Sequence, residues 1–228
     1  VGGYRWPHMF TQAPAPGQSL QHRLAKIEGE VDAANIAVRT LIRALLTTRR
    51  KTYALDAAAR LAAAGRDPRM PVEFRSQTGE DMLLWDLLDW KLDGFYIEVG
   101  AFDGRTFSAS YAFDAMGWNG LLVEPTPARF EACRINRPNA RCVHAALSCR
   151  GSQGFTNMQV TEDHWGGMLS YMPGSLSPIQ AAELEKERCV EVRVQVPLTT
   201  MDDLLRDHTG PIDFAVIDVE GHEEMLLD

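Results

Sequence analysis

The sequence lacks paired cysteines, basic runs and long apolar stretches, and each absence removes a class of function. Its four cysteines, Cys133, Cys142, Cys149 and Cys189, form no Cys-x-x-Cys pair and have no histidine at zinc-site spacing. Neither a disulfide framework nor a structural zinc site is expected; reduced, partly buried thiols of a cytoplasmic protein are. No cationic run exceeds Arg49-Arg50-Lys51, and 23 Lys and Arg stand against 31 Asp and Glu, a formal charge of −8. Duplex binding by phosphate neutralisation is therefore disfavoured, and no nucleic-acid partner is expected. The apolar runs fall far short of the ~20 residues that a bilayer-spanning helix needs, and the first residues show no charged-then-apolar leader. No membrane span is expected.

What remains is ordinary globular composition, 45% apolar and 24% charged over 228 residues. That is enough for one α/β domain and an appendage. The chain begins at Val1 rather than Met, so loss of an upstream piece or tag is expected. Residues 1–18 are rich in Gly, Pro and Gln without period and read as a flexible arm. Residues 19–69 read as helical. Leu20, Leu24, Ile27, Val31, Ala34, Val38, Leu41 and Leu45 alternate steps of 4 and 3, a heptad seam. Three occupants of the seam are open: a second copy of the chain in a homodimer, the chain's own catalytic domain, or a peptide. Gly29 lowers helix propensity by about 1 kcal/mol, which favours a packed helix over an unsupported one. A second, Ala-rich helix is expected over 53–64, stopped by Gly65.

From Met70 onward strand and helix patterns alternate. A helix over 76–92 precedes the apolar strand Phe95-Tyr96-Ile97-Glu98-Val99. Then follow a helix over 107–116, a strand over 120–124, a helix over 127–136, a strand over 140–145 and an irregular stretch. A strand over 190–196, a helix over 201–207 and a strand over 214–218 complete the pattern. Alternating units with apolar strands predict an α/β fold with a mostly parallel, doubly wound, Rossmann-like sheet over 70–228.

The first strand runs into Glu98-Val99-Gly100-Ala101-Phe102-Asp103-Gly104. In such a sheet this loop borders the ligand crevice, and glycines there let backbone approach a ligand. Glu124 ends the second strand twenty residues after Gly104, where a carboxylate can accept two hydrogen bonds from a ribose diol. The loop is not Gly-x-Gly-x-x-Gly, which argues against a dinucleotide pyrophosphate and against a nicotinamide oxidoreductase. A nucleoside without phosphates fits better.

Glu98-x-Gly100-x-x-x-Gly104, then Glu124, then Asp218-Val219-Glu220-Gly221-His222-Glu223 resembles the FkbM family of class I S-adenosylmethionine-dependent methyltransferases. Ser76-Gln77-Thr78-Gly79-Glu80-Asp81 resembles the opening segment of one FkbM branch. The resemblance implies a binding loop of Glu98, Gly100, Ala101, Phe102, Asp103 and Gly104 for S-adenosylmethionine, with Glu98, Gly100 and Gly104 along its methionine part. It implies Glu124 on the ribose, Ala145 and Ala146 along the adenine edge, and Gln77 and Asp81 as contacts from the covering segment. For Gln77 and Asp81, a helix cap with a solvated acid is an equal alternative.

Methyl transfer to a hydroxyl needs collinear positioning and a base within hydrogen-bond reach. Asp218, Glu220 and His222 stand at the end of the last strand, with Glu220 or a nearby histidine as the expected base, and Asp218 also borders the cofactor. Glu223 and Glu224 suit a helix start without further chemistry. His164 lies in a Gly- and aromatic-rich loop whose Trp165 and Tyr171 can wall an acceptor pocket, with an ordinary hairpin or surface loop as an equal alternative. His144 reads as a satisfied core histidine. Two carboxylates do not complete a six-oxygen magnesium site, so no metal is expected. The implied activity is O-methylation of a sugar, glycan or natural-product hydroxyl, and the alternative is a scaffold that binds the cofactor without catalysis. A class I sheet has seven strands, so the last strands are expected to be missing through truncation.

Overall fold

A computed structural model of the chain describes residues 20–161, 170–219, 221 and 223–227. The chain divides into two compact units at Thr47/Thr48. The first is described as the amino-terminal part of α1 (Leu20–Ala63), a single helix. The two helices expected from the sequence are thus one. Nothing between them is Gly or Pro, and the hydroxyls of Thr40, Thr47 and Thr52 donate to the carbonyls of Ile36, Arg43 and Thr48, satisfying these polar residues without leaving the helix. Within the second unit, Ala57 and Leu61 of α1 are buried.

The second unit continues with α2 (Glu80–Leu87), β1 (Phe95–Val99), α3 (Tyr111–Met116), β2 (Asn119–Val123), α4 (Pro127–Asn136) and β3 (Arg141–Val143). Then come β4 (Ala146–Leu147), β5 (Gly154–Thr161), β6 (Ser170–Tyr171), α5 (Pro178–Glu187), β7 (Glu191–Thr199), α6 (Met201–Leu205), β8 (Phe214–Ile217) and α7 (Glu223–Leu227). Helix α2 is shorter than the expected 76–92. Asp81 folds back onto Ser76 and Gly79 adopts φ 101° ahead of the helix, while Asp89 and Trp90 enter the left-handed region behind it.

Four strands form a parallel sheet in the order β3-β2-β1-β8. The chain winds from β1 to β2 and β3 on one side and reaches β8 on the other, so the loops leaving β1 and its two neighbours diverge above their carboxyl ends. Ile97, Val99, Leu121, Val123, Ala145, Leu147 and Leu204 fill one face. On the other, Tyr96 stacks on Phe214, which also meets Phe113 and Trp118.

A second sheet, β4-β7-β5-β6, was not expected. Its β7 runs antiparallel to β5, with Met158 opposite Val194 and Val160 opposite Val192, so the strand expected over 190–196 does not join the parallel series. The alternation Glu191-Val192-Arg193-Val194-Gln195-Val196 is the mark of such a half-exposed antiparallel strand. Strand β5 was hidden in the irregular stretch because Thr156, Asn157 and Gln159 dilute its apolar signal.

Candidate functional site

A cavity of ≈ 270 Å³ lies over the carboxyl ends of β1, β2 and β8, near the ~300 Å³ at which small-ligand clefts begin. Its floor is Val99 to Phe102, with Glu124 to Thr126 and Ala145 to Leu147 on one side and Val216, Asp218 and Val219 on the other. Gln77 and residues 106–109 border it, and the second sheet with the residue after β6 adds Met158, Ser170 and Met172. Backbone bonds tie the strand tips together: Gly100 and Ala101 donate to the Val123 carbonyl, Glu124 to Val143, and Asp218 to Val99.

Glu124 is buried and its two oxygens are held separately. Oε2 accepts the Phe102 N–H and Oε1 the Thr126 N–H, each at 2.8 Å. Burial outweighs these bonds and raises the carboxyl from its ordinary value near 4.5 to about 7. The N–H groups of Phe102 and Thr126 are thereby spent on a side chain. No Lys or Arg among the described residues lines the cavity, whereas Glu98, Glu124 and Asp218 do. Among the described residues the site is built for a ligand that is neutral or positive.

Glu98 lines the cavity but its carboxylate serves the protein. It accepts from the Ser108 hydroxyl at 2.8 Å, the Ala109 N–H at 3.0 Å and the Ser110 hydroxyl. These contacts hold residues 107–110 as a loop, which is why α3 starts at Tyr111 instead of near Phe107. Behind Glu98 lies Arg137, fully buried, whose Nη1 is 3.9 Å from the carboxylate. Arg137 donates to Asp114 at 2.7 Å, the Tyr96 hydroxyl at 2.7 Å and the Gly104 carbonyl at 2.9 Å. Burial opposes its charge, yet Tyr96, Glu98 and Asp114 together hold its pKa above the ordinary value. Sequence reasoning missed Arg137, because an arginine at the end of an amphipathic helix before Pro138 carries no mark of burial.

The predicted loop residues separate into two groups. Gly100, Ala101 and Phe102 line the cavity; Asp103 and Gly104 do not. The Asp103 carboxylate accepts the N–H groups of Arg105 and Thr106 and the Thr106 hydroxyl, folding its own turn. Both glycines leave room for protein and not for ligand. A Cβ on Gly100 would stand 1.9 Å from the Asp218 carbonyl oxygen, and one on Gly104 would stand 2.9 Å from Cys133 Sγ. Phe102 and Phe107 both adopt positive φ at the cavity wall, 52° and 56°. Such strain persists only where its surroundings over-determine it.

Ala145, Ala146 and Gln77 line the cavity. Asp81 does not: it is fully buried and receives the N–H groups of Arg75, Ser76 and Met82. It is therefore neither a cavity contact nor a solvated cap acid but a buried bracket for the turn ahead of α2. His144, expected in the core, is half-buried; it meets the Pro125 carbonyl at 2.9 Å and stacks on Phe130, so its polar group is satisfied at the edge of the core. Tyr171 is buried with its hydroxyl on Glu191 and offers no face to the cavity.

Asp218 sits at the rim. Desolvation, reinforced by Glu223, raises its carboxyl above the ordinary range. The Glu223 carboxylate accepts from the N–H groups of Val219 and Gly221, so it shapes the turn after β8. Glu220, His222, His164 and Trp165 lie outside the described residues. Met158 and Met172 were missed as cavity residues because they belong to, or directly follow, strands of the sheet that the sequence concealed, whereas Ser170 lies in the loop read as a pocket wall.

A family model described as the methyltransferase FkbM domain matches residues 98–228, more than half of the chain. No curated protein and no solved structure matches it. With a match that starts at Glu98 and takes in Gly100, Glu124 and Asp218, the chain belongs to the FkbM methyltransferase family.

Proposed function

We propose that the chain is an S-adenosylmethionine-dependent O-methyltransferase, with residues 70–228 as a Rossmann-like, doubly wound catalytic domain. The observation that carries this reading is Glu124, held by Phe102 and Thr126 at a strand tip with its carboxylate on the cavity. A diol needs one acceptor for each of two hydroxyls, and a carboxylate with both oxygens anchored supplies them without reorganising. Ala145 and Ala146, without bulk, and Met158 and Met172, which are polarisable, make an apolar wall suited to a flat heterocycle. The acidic lining suits a sulfonium and repels a pyrophosphate.

When bound, the cofactor would supply an electrophilic methyl group. The protein's own part is to hold an acceptor hydroxyl in line and to remove its proton. Asp218, with its carboxyl raised by desolvation and by Glu223, is suited to take that proton. Glu220 and His222, two and four residues on, belong to the same segment in this reading. The acceptor class is a hydroxyl of a sugar, glycan or other natural product.

Calorimetry with S-adenosylhomocysteine tests the binding half. Micromolar heat and hydrogen-exchange protection of residues 100–104 are expected; no heat at high micromolar ligand with no protection overturns the reading. Transfer of radiolabelled methyl from S-adenosylmethionine to a panel of glycans and polyketides tests the catalytic half.

A further inference from the structure

Helix α1 carries an apolar stripe that nothing among the described residues covers. Leu20, Leu24, Ile27, Val31, Val38, Leu41 and Leu45 are each between 50% and 70% exposed, with Ala34 between them. Their strict 3.5-residue period matters, because on a straight helix such a stripe drifts by about 20° per heptad, and only supercoiling with a neighbour keeps it covered. Seven such side chains at on the order of 100 Å² apiece approach the ~800 Å² per partner of a standard stable interface.

The positions beside the seam identify the neighbour. Counting Leu24, Val31, Val38 and Leu45 as a positions puts Leu20, Ile27, Ala34 and Leu41 at d. The two central a positions are valine and three of the four d positions are leucine or isoleucine, and a β-branched residue at a with leucine at d favours two parallel strands. Arg23 then falls at g and Glu28 at the following e, the pair that faces across a parallel, in-register dimer. Neither has an ion-pair partner among the described residues, whereas Glu30, at the next g position, is engaged by Lys26 at 3.8 Å. Across the same parallel register Glu30 faces Asn35 and Ala37 at g faces Ile42 at e, so no like charges meet along the flanks. An antiparallel pairing of the same length sets Arg23 against Ala44 and Glu28 against Asn35, and the ion pairs are lost.

Gly29 lies at f, on the far side, with open space around its Cβ position. The seam stops after Leu45, where Thr48 and Thr52 take the next two positions. We infer that Leu20–Leu45 joins two copies of this chain as a parallel, in-register, two-stranded coiled coil, in which Arg23 of each copy meets the partner's Glu28.

Sedimentation equilibrium of the full chain from 1 to 100 µM tests this, with twice 25.4 kDa as the expected mass. Val31→Lys with Val38→Lys places charges on exposed seam positions and is expected to yield a monomer whose thermal transition in the second unit is unchanged. Arg23→Glu alone and Glu28→Lys alone are each expected to weaken the dimer roughly five- to tenfold. An equimolar mixture of the two single variants recovers a tight heterodimer, because both cross-pairs become opposite in sign. A parent chain monomeric at 100 µM, or a dimer indifferent to Val31→Lys with Val38→Lys, overturns the inference. A dimer whose charge variants gain nothing on mixing overturns the parallel register. None of these outcomes depends on methyl transfer.

Discussion

The carbonyl oxygen of Asp218 occupies the space that a side chain on Gly100 would need, 1.9 Å from the ideal Cβ position. The tips of β1 and β8 therefore close on each other only because residue 100 has no Cβ, and Gly100 is further held at φ 78°. Gly100→Ala is expected to cost about 1–3 kcal/mol in strain and overpacking and to abolish S-adenosylhomocysteine binding. Gly104→Ala meets Cys133 and Arg137 instead; it is expected to lower stability while leaving binding within a few-fold. Urea unfolding beside calorimetry separates the two.

Glu124 is expected to impose a pH dependence on cofactor affinity. Its carboxyl is raised to about 7 by burial, and a diol is best accepted by the ionised form, so affinity should fall by roughly tenfold between pH 8 and pH 6. Folding shows the opposite sign. A carboxyl raised from near 4.5 to about 7 leaves its stability contribution complete below the lower value and loses it as pH rises through the higher one. Glu124→Gln is expected to flatten both profiles and to weaken binding by ten- to hundredfold, about 1.4–2.7 kcal/mol. Calorimetric titrations and thermal melts across pH 5–9 measure the two profiles.

Arg137 joins Asp114, Tyr96 and the Gly104 carbonyl behind the cavity loop. Arg137→Met keeps the bulk but strands the buried Asp114 and Glu98 carboxylates. The expected loss is about 3–5 kcal/mol, a fall in melting temperature of about 6–20 °C. Differential scanning calorimetry reads it directly.

Asp218→Asn tests the base. Loss of a general base is expected to slow methyl transfer by roughly 10²–10⁴-fold, with S-adenosylhomocysteine affinity within about threefold of the parent. Equal activity in the two proteins would move the role to Glu220 or His222.

Much of the parallel sheet was legible because its signals are local. The apolar run Phe95–Val99, the glycine after it and the carboxylate at 124 each declare a strand tip through neighbours in sequence. The second sheet was not, since β5 mixes Thr156, Asn157 and Gln159 with its apolar residues and is stabilised by β7, whose paired residues lie 30 to 44 positions further along the chain. The boundary of α3 was misplaced for a similar reason. Residues 107–110 have helical pattern, but the buried Glu98 claims Ser108, Ala109 and Ser110 as donors, and an unpaired buried carboxylate costs more than a lost helical turn.

By itself the sequence determined the heptad stripe of α1, the order of strand and helix around β1, and the residue types at the tips of β1, β2 and β8. Period and composition are properties of a segment and need no partner. Only tertiary structure decided which of these residues face the cavity. It gave Glu98 and Asp81 to the protein's own donors, left Glu124 presented to the hollow, and made Gly100 a place for the Asp218 carbonyl. Hydrogen-bond partners and steric neighbours in these cases come from residues many positions apart, and a one-dimensional pattern does not encode which of several donors a buried carboxylate will meet.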